Sequence, residues 1–394
     1  MSLHNSLASR VDAAIDSAIA DNRLVGTVVV VARNGETVYR RAAGFMDREA
    51  GQVMQEDAIF RLSSITKPFV AAAAMRFVEL GVIALDQPVT RWLPDFRPAL
   101  GDGSRPEITL HQLLAHTSGL GYRFSEAEGS TYHRLDISDG LDQPGLALDE
   151  NLRRLGEAPL AYPPGTAWRY SLGLDVLGAV LEAAASKSLP EIVLEHVTEP
   201  LGLSDTGFVV TDPERLAAAY AQAPGSPERM AGTVAVPLWQ GAVRFAPDRI
   251  LNPESYASGG AGMAGTADDI LIFLEAIRNG GAPILKSETV AIMMRDQVGP
   301  QAATQGPGWG FGYGWAVLSD PRLASTPQAK GTLQWGGVYG HTWFIDPVNQ
   351  LSVVALTNTA FEGMVGQFVN DLRDAIYGHA GSPNSVEQPV YSGS

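Results

Sequence analysis

No cysteine occurs anywhere in the 394 residues, which excludes a disulfide framework, a thiolate zinc site and a cysteine nucleophile together. Lysine is nearly as scarce: among 28 basic residues only Lys67, Lys187, Lys286 and Lys330 are lysines, so each is a candidate for chemistry. Long apolar runs are missing too. Val28 to Val31 and Ala71 to Ala74 fall far short of the roughly 20 residues that a membrane helix needs. The opening Met1-Ser2-Leu3-His4-Asn5-Ser6 shows no basic cluster followed by an apolar segment, so no secretory signal is visible and a cytoplasmic location is expected. Positive charge is in deficit, with a net charge of −15 and a pI near 4.9. Such a surface repels phosphate backbones, so nucleic acid is not an expected partner. The seven histidines show no metal spacing and no phosphate-binding loop is present, so no metal and no cofactor is expected.

What is there describes an ordinary globular chain, 45% hydrophobic and 18% charged, long enough for two structural units. Leu7, Val11, Ala14, Ile15 and Ile19 fall at helical spacing and predict a first helix from Leu7 to Ala20. The β-branched run from Gly26 to Arg33, the turn pair Asn34-Gly35 and the return from Thr37 to Ala43 predict a hairpin. Near the other end, strands are expected at Gly310 to Val317, Gly331 to Trp335, Thr342 to Ile345 and Leu351 to Thr357, then a closing helix from Phe361 to Tyr377. Between them, helices are expected at Pro68 to Leu80, Leu110 to Ala115, Leu148 to Leu155 and Leu172 to Ala185. The expected architecture is α/β (α+β): an antiparallel sheet flanked by terminal helices, built from residues 1–60 and 241–380, with a mainly helical unit at 61–240 inserted and a flexible tail at 381–394. A cleft between two such units is the expected place for a site.

Three segments could carry chemistry. Ser64-Ile65-Thr66-Lys67 is the one S-x-x-K pair in the chain. At an early helical turn its serine and lysine would lie on one face, the lysine able to activate a hydroxyl that is a weak nucleophile alone. A capping serine beside a solvated lysine is the plainer reading. No G-x-S-x-G occurs, so the nucleophile elbow of α/β-hydrolases is absent. Tyr170, in Trp168-Arg169-Tyr170-Ser171, becomes a base only where neighbouring charge depresses its pKa; otherwise it is a half-buried core tyrosine. Gln334-Trp335-Gly336-Gly337-Val338-Tyr339-Gly340-His341 could be a strand whose glycines let a substrate approach backbone N–H groups, or simply a hairpin bend. His111 and His116 read as structural, His341 as a turn residue, and the glycine-aromatic run from Trp309 to Trp315 as strand packing.

Taken in order, these segments, with Leu113 to Leu120 and Ser258 to Met263, resemble the serine β-lactamase and penicillin-binding superfamily. The resemblance is closer to its esterase branch, the family VIII carboxylesterases, and runs from the first helix to the last. It implies a β-lactamase-like fold, Ser64 as nucleophile and Lys67 and Tyr170 as its activating pair. The backbone N–H groups of Ser64 and Val338 would form the oxyanion hole. Trp335 and Tyr122 would line the acyl pocket with Gly336 and Gly337, and Asp175 would orient the polar network or be a plain helix carboxylate. The chain departs from the β-lactamase pattern twice: Leu172 stands where an asparagine follows the tyrosine, and Trp335-Gly336-Gly337 replaces a Lys-Thr-Gly triplet. Both losses remove polar partners of a β-lactam. The expected activity is therefore hydrolysis of short-chain carboxylic esters through an acyl-enzyme, acting on a small-molecule ester with no membrane involved. The alternatives are a β-lactamase or D-amino-acid peptidase using the same nucleophile, and a non-enzymatic binding homologue. With one cation fewer beside Tyr170, activity should still rise above neutral pH.

Overall fold

The computed structural model describes residues 6–210, 212–299 and 302–378; the proposed tail at 381–394 lies outside them. The first helix, α1 (Leu7–Ala20), has the expected bounds and starts at Ser6, whose Oγ accepts the Ser9 N–H, a normal N-cap. The hairpin follows as β1 (Gly26–Arg33) and β2 (Glu36–Asp47). Asn34 and Gly35 turn it with φ of 54° and 85°, the paired positive values that Asn-Gly supplies at little cost. With β3 (Gln52–Val53), β4 (Trp309–Phe311), β5 (Ala316–Leu318), β6 (Leu333–Gly337), β7 (His341–Asp346) and β8 (Leu351–Thr357), these strands form an eight-stranded sheet. Its order is β4-β5-β6-β7-β8-β1-β2-β3, and every pairing is antiparallel. The two ends of the chain meet in mid-sheet, where β1 and β8 pair from Thr27 with Thr357 to Arg33 with Leu351.

The valines of β1 alternate between two cores, as a period of two requires. Val29 and Val31 pack with Val11, Ile15, Phe368 and Leu372 of the terminal helices. Val28 and Val30 join the large core on the other face. That core includes α2 (Thr66–Glu79), whose residues Thr66 to Met75 are all buried, and α3 (Gly173–Ala185), buried from Gly173 to Leu181.

Two expectations are corrected. The span from Gly310 to Val317 is two short strands, because the backbone reverses through Gly314 at φ 96°; alternation of small and aromatic residues hides such a turn. The closing helix is broken into Glu362–Val365 and Gln367–Tyr377 by the extended Gly366, at ψ 178°. The stretch 61–240 also carries strands: Tyr220–Ala221 pairs with Glu228–Arg229, and Val234–Leu238 begins a hairpin with Gly241–Phe245. No helix among the described residues is long and apolar enough to cross a membrane.

Candidate active site

Ser64 lies on a 3-10 turn (Ser63–Ile65) leading into α2, not on the first α-helical turn itself. The turn is fastened on two sides. Leu62 N–H donates to Met263 O at 2.9 Å, and Met263 N–H donates to Thr66 Oγ1 at 3.0 Å, tying it to the segment before Ala264–Gly265. On the other side β6 abuts it: a Cβ at Gly337 would stand 2.5 Å from Ser63 Oγ and 2.6 Å from Leu62 O. Only glycine permits this approach, and it sets Val338 beside the turn that carries Ser64. The nearby backbone bonds run from Ile65 N–H to Leu62 O, Gly340 N–H to Gly337 O and Phe361 N–H to Val338 O. None of these uses the N–H of Ser64 or Val338. Gly336 is equally confined, its Cβ position 2.7 Å from His341 O.

Ser64 is partly exposed, whereas Lys67 is fully buried. Lys67 Nζ donates to Ser64 Oγ at 3.2 Å and to Gly260 O at 2.7 Å, and lies 4.6 Å from the ring centre of Tyr170 and 5.3 Å from that of Tyr122. Burial pushes its pKa down to about 7, against the opposing pull of Asp175 and Asp139; loss of hydration penalises the ammonium form.

Tyr170 reaches the same oxygen from the loop before α3, its hydroxyl 2.7 Å from Ser64 Oγ. That loop is bonded to the segment after His111: Arg169 N–H donates to His116 O at 2.9 Å and Leu172 N–H to Gly121 O at 3.2 Å. Trp335 Nε1 donates to the Tyr170 hydroxyl at 3.3 Å. The indole that replaces a lysine thus supplies a neutral donor, which favours the phenolate less than a cation does. Phe311 packs edge-on against Trp335 at 5.2 Å, so the glycine-aromatic run reaches the site as well as the core. Leu172 is fully buried and offers no polar group.

Two expected pocket residues lie behind the reacting atoms. Tyr122 is 3% exposed and Asp175 2%. Asp175 accepts from Ser258 Oγ at 2.6 Å, and burial raises the carboxyl's pKa. The motifs gave no role to Gly260, Ser258 or Asp139. Asp139 accepts the N–H groups of Arg123 and Phe124 at 2.7 and 3.1 Å and so pins the turn after Tyr122. Segment Ser258 to Met263 was the signal for the first two; nothing local marks Asp139. His341 is structural: its Nδ1 accepts the Thr357 N–H at 3.2 Å, so Nε2 carries the proton to Arg61 O at 2.8 Å. Burial lowers its pKa to about 4, keeping the ring neutral.

A serine, a buried lysine and a tyrosine meeting at one oxygen, beside the glycine-rich strand of an antiparallel sheet whose other face is covered by the terminal helices, define a class. The chain matches the Beta-lactamase family over residues 11–377 and belongs to it. It is 57% identical to esterase EstB of Burkholderia gladioli over 376 residues, 94% of this chain and 95% of that one. Among solved structures it is similar to EstCE1, a hydrolase with promiscuous acyltransferase activity, at a TM-score of 0.92 and 50% identity, covering 94% and 98% of the two chains. The simvastatin synthase LovD from Aspergillus terreus shares the fold at a TM-score of 0.75 and 22% identity, covering 94% and 98%.

Proposed function

We propose that this protein is a serine carboxylesterase that hydrolyses short-chain carboxylic esters through an acyl-enzyme on Ser64. One observation carries the reading: the hydroxyl oxygen of a partly exposed serine is contacted at 2.7 Å by Tyr170 and at 3.2 Å by a lysine with no exposure. When the Tyr170–Lys67 pair has lost one proton, Tyr170 takes the Ser64 proton as Oγ bonds to the ester carbonyl carbon. The carbonyl oxygen takes the negative charge and rests on the N–H groups of Ser64 and Val338. Collapse breaks the bond to the alcohol oxygen, which leaves with that proton. Water then attacks the acyl carbon by the same route, giving the acid and restoring Ser64. The pair works only after deprotonation, and Lys67 has a pKa near neutrality, so kcat/KM rises with pH through about 7. The enzyme's proposed compartment is the cytoplasm, and residues 61–240 are proposed as an inserted, mainly helical unit.

A panel of p-nitrophenyl esters of increasing acyl length, with a chromogenic cephalosporin alongside, tests selectivity. Trp335 and Leu172 remove the polar partners of a β-lactam, so short acyl esters are expected to exceed the cephalosporin in kcat/KM by about 1,000-fold or more, each lost polar contact weighing as in other discriminating sites. Cephalosporin turnover equal to the best ester would favour an amide-directed hydrolase.

A further inference from the structure

We propose that Asp175 is a positioning residue for this chemistry: from behind Lys67, its carboxylate sets the charge of the amine beside Ser64 and hence the pH at which the nucleophile is activated. The inference rests on the Ser64–Lys67–Tyr170 reading above. Asp175 sits in the first turn of α3 among the buried Leu174, Val176 and Leu177. Its Oδ1 is held by Ser258, while the buried Oδ2 lacks a well-formed hydrogen bond and faces the Gly260 backbone, which favours the charged carboxylate. A carboxylate oxygen left so is costly, and an apolar residue would suit the helix better.

What opposes that cost converges on Gly260. The point where a Cβ would stand on Gly260 is 2.6 Å from Asp175 Oδ2, 3.0 Å from the Tyr122 hydroxyl and 3.4 Å from Lys67 Nζ. Carboxylate and ammonium are therefore at most about 6 Å apart, separated by backbone whose carbonyl accepts from Lys67. Any side chain at 260 would force them apart. The other groups facing Lys67 are the hydroxyl of Ser64, the rings of Tyr122 and Tyr170, the imidazole of His116 and the carboxyl of Asp139. His116 is held neutral by burial and by Lys67 itself. Asp139 is the weaker counter-charge: burial and Asp142 raise its pKa to about 7, whereas Ser258, Lys67, Arg249 and the Gly260 backbone limit the burial-driven rise at Asp175 to about 6.

Asp175→Asn keeps shape and the Ser258 contact while removing the charge. At an effective permittivity of about 20, a unit charge roughly 6 Å away shifts a titration by about two pH units. The rising limb of kcat/KM is expected to move one to two units toward acid, with plateau kcat within about tenfold. Ser258→Ala, which makes the carboxylate easier to neutralise, moves it the same way by less and covers the case in which the asparagine variant does not fold. With only four lysines in the chain, nitrogen NMR of 15N-labelled lysine follows Lys67 directly, and its titration moves by the same amount. A limb and a Lys67 titration that both stay in place, with only the plateau lowered, would reduce Asp175 to a packing residue and overturn the inference. Acylation of Ser64 in the same variants separates this outcome from failure of the underlying reading, in which Ser64 is acylated in neither variant nor wild type.

Discussion

Ser64→Ala is expected to lower kcat/KM for short p-nitrophenyl esters by at least about 10,000-fold, as loss of a nucleophile that acts within a unit does elsewhere. Folding should be untouched. Ser64 is partly exposed, Lys67 keeps its bond to Gly260 O, and Tyr170 keeps that from Trp335. The melting temperature should therefore stay close to that of the parent, since the burial of Lys67 and its bond to Gly260 O are unchanged. Thermal unfolding and a kinetic assay on the same preparation check both parts. Activity within tenfold of the parent would mean that another group carries the reaction.

Tyr170→Phe removes the nearer of the two groups that touch Ser64 Oγ, at 2.7 Å against 3.2 Å for Lys67. General-base contributions of this kind are worth about 100- to 10,000-fold, and the loss should appear mainly in kcat, because the phenol contacts the nucleophile. The ring remains against Trp335 and Tyr122, at 5.1 and 4.9 Å, so KM should change little. What activity is left depends on Lys67 alone. A variant within threefold of the parent, with an unchanged pH profile, would make Lys67 the base and Tyr170 a wall of the pocket.

How far these residues could be read without coordinates follows from the range of the forces that place them. Gly26–Arg33, its Asn34-Gly35 turn and α1 are written in local periodicity, and the sequence reading places them at their observed bounds. The reversal at Gly314 and the break at Gly366 were missed because a glycine in an aromatic or helical pattern carries no sign of which way the backbone will turn. Ser64 and Lys67 are neighbours by chain geometry alone, and Tyr170 stands out by its motif. That both contact one oxygen depends on Gly337 letting β6 reach the 3-10 turn, and on loop bonds such as Arg169 to His116. The positions of Tyr122 and Asp175 behind Lys67, instead of along an open pocket, are tertiary facts. So is the counter-charge of Asp139, held by two backbone N–H groups from a loop without local pattern.

The central claim is that the ester's acyl group passes through Ser64 Oγ. Rapid acid quenching of the enzyme with a p-nitrophenyl ester, followed by intact mass and peptide mapping, tests it most directly. The account predicts an added mass equal to the acyl group, confined to the peptide containing Ser64 and absent from Ser64→Ala. Turnover of the ester with no adduct under conditions that produce a burst of p-nitrophenol, or with the adduct on another residue, would contradict it.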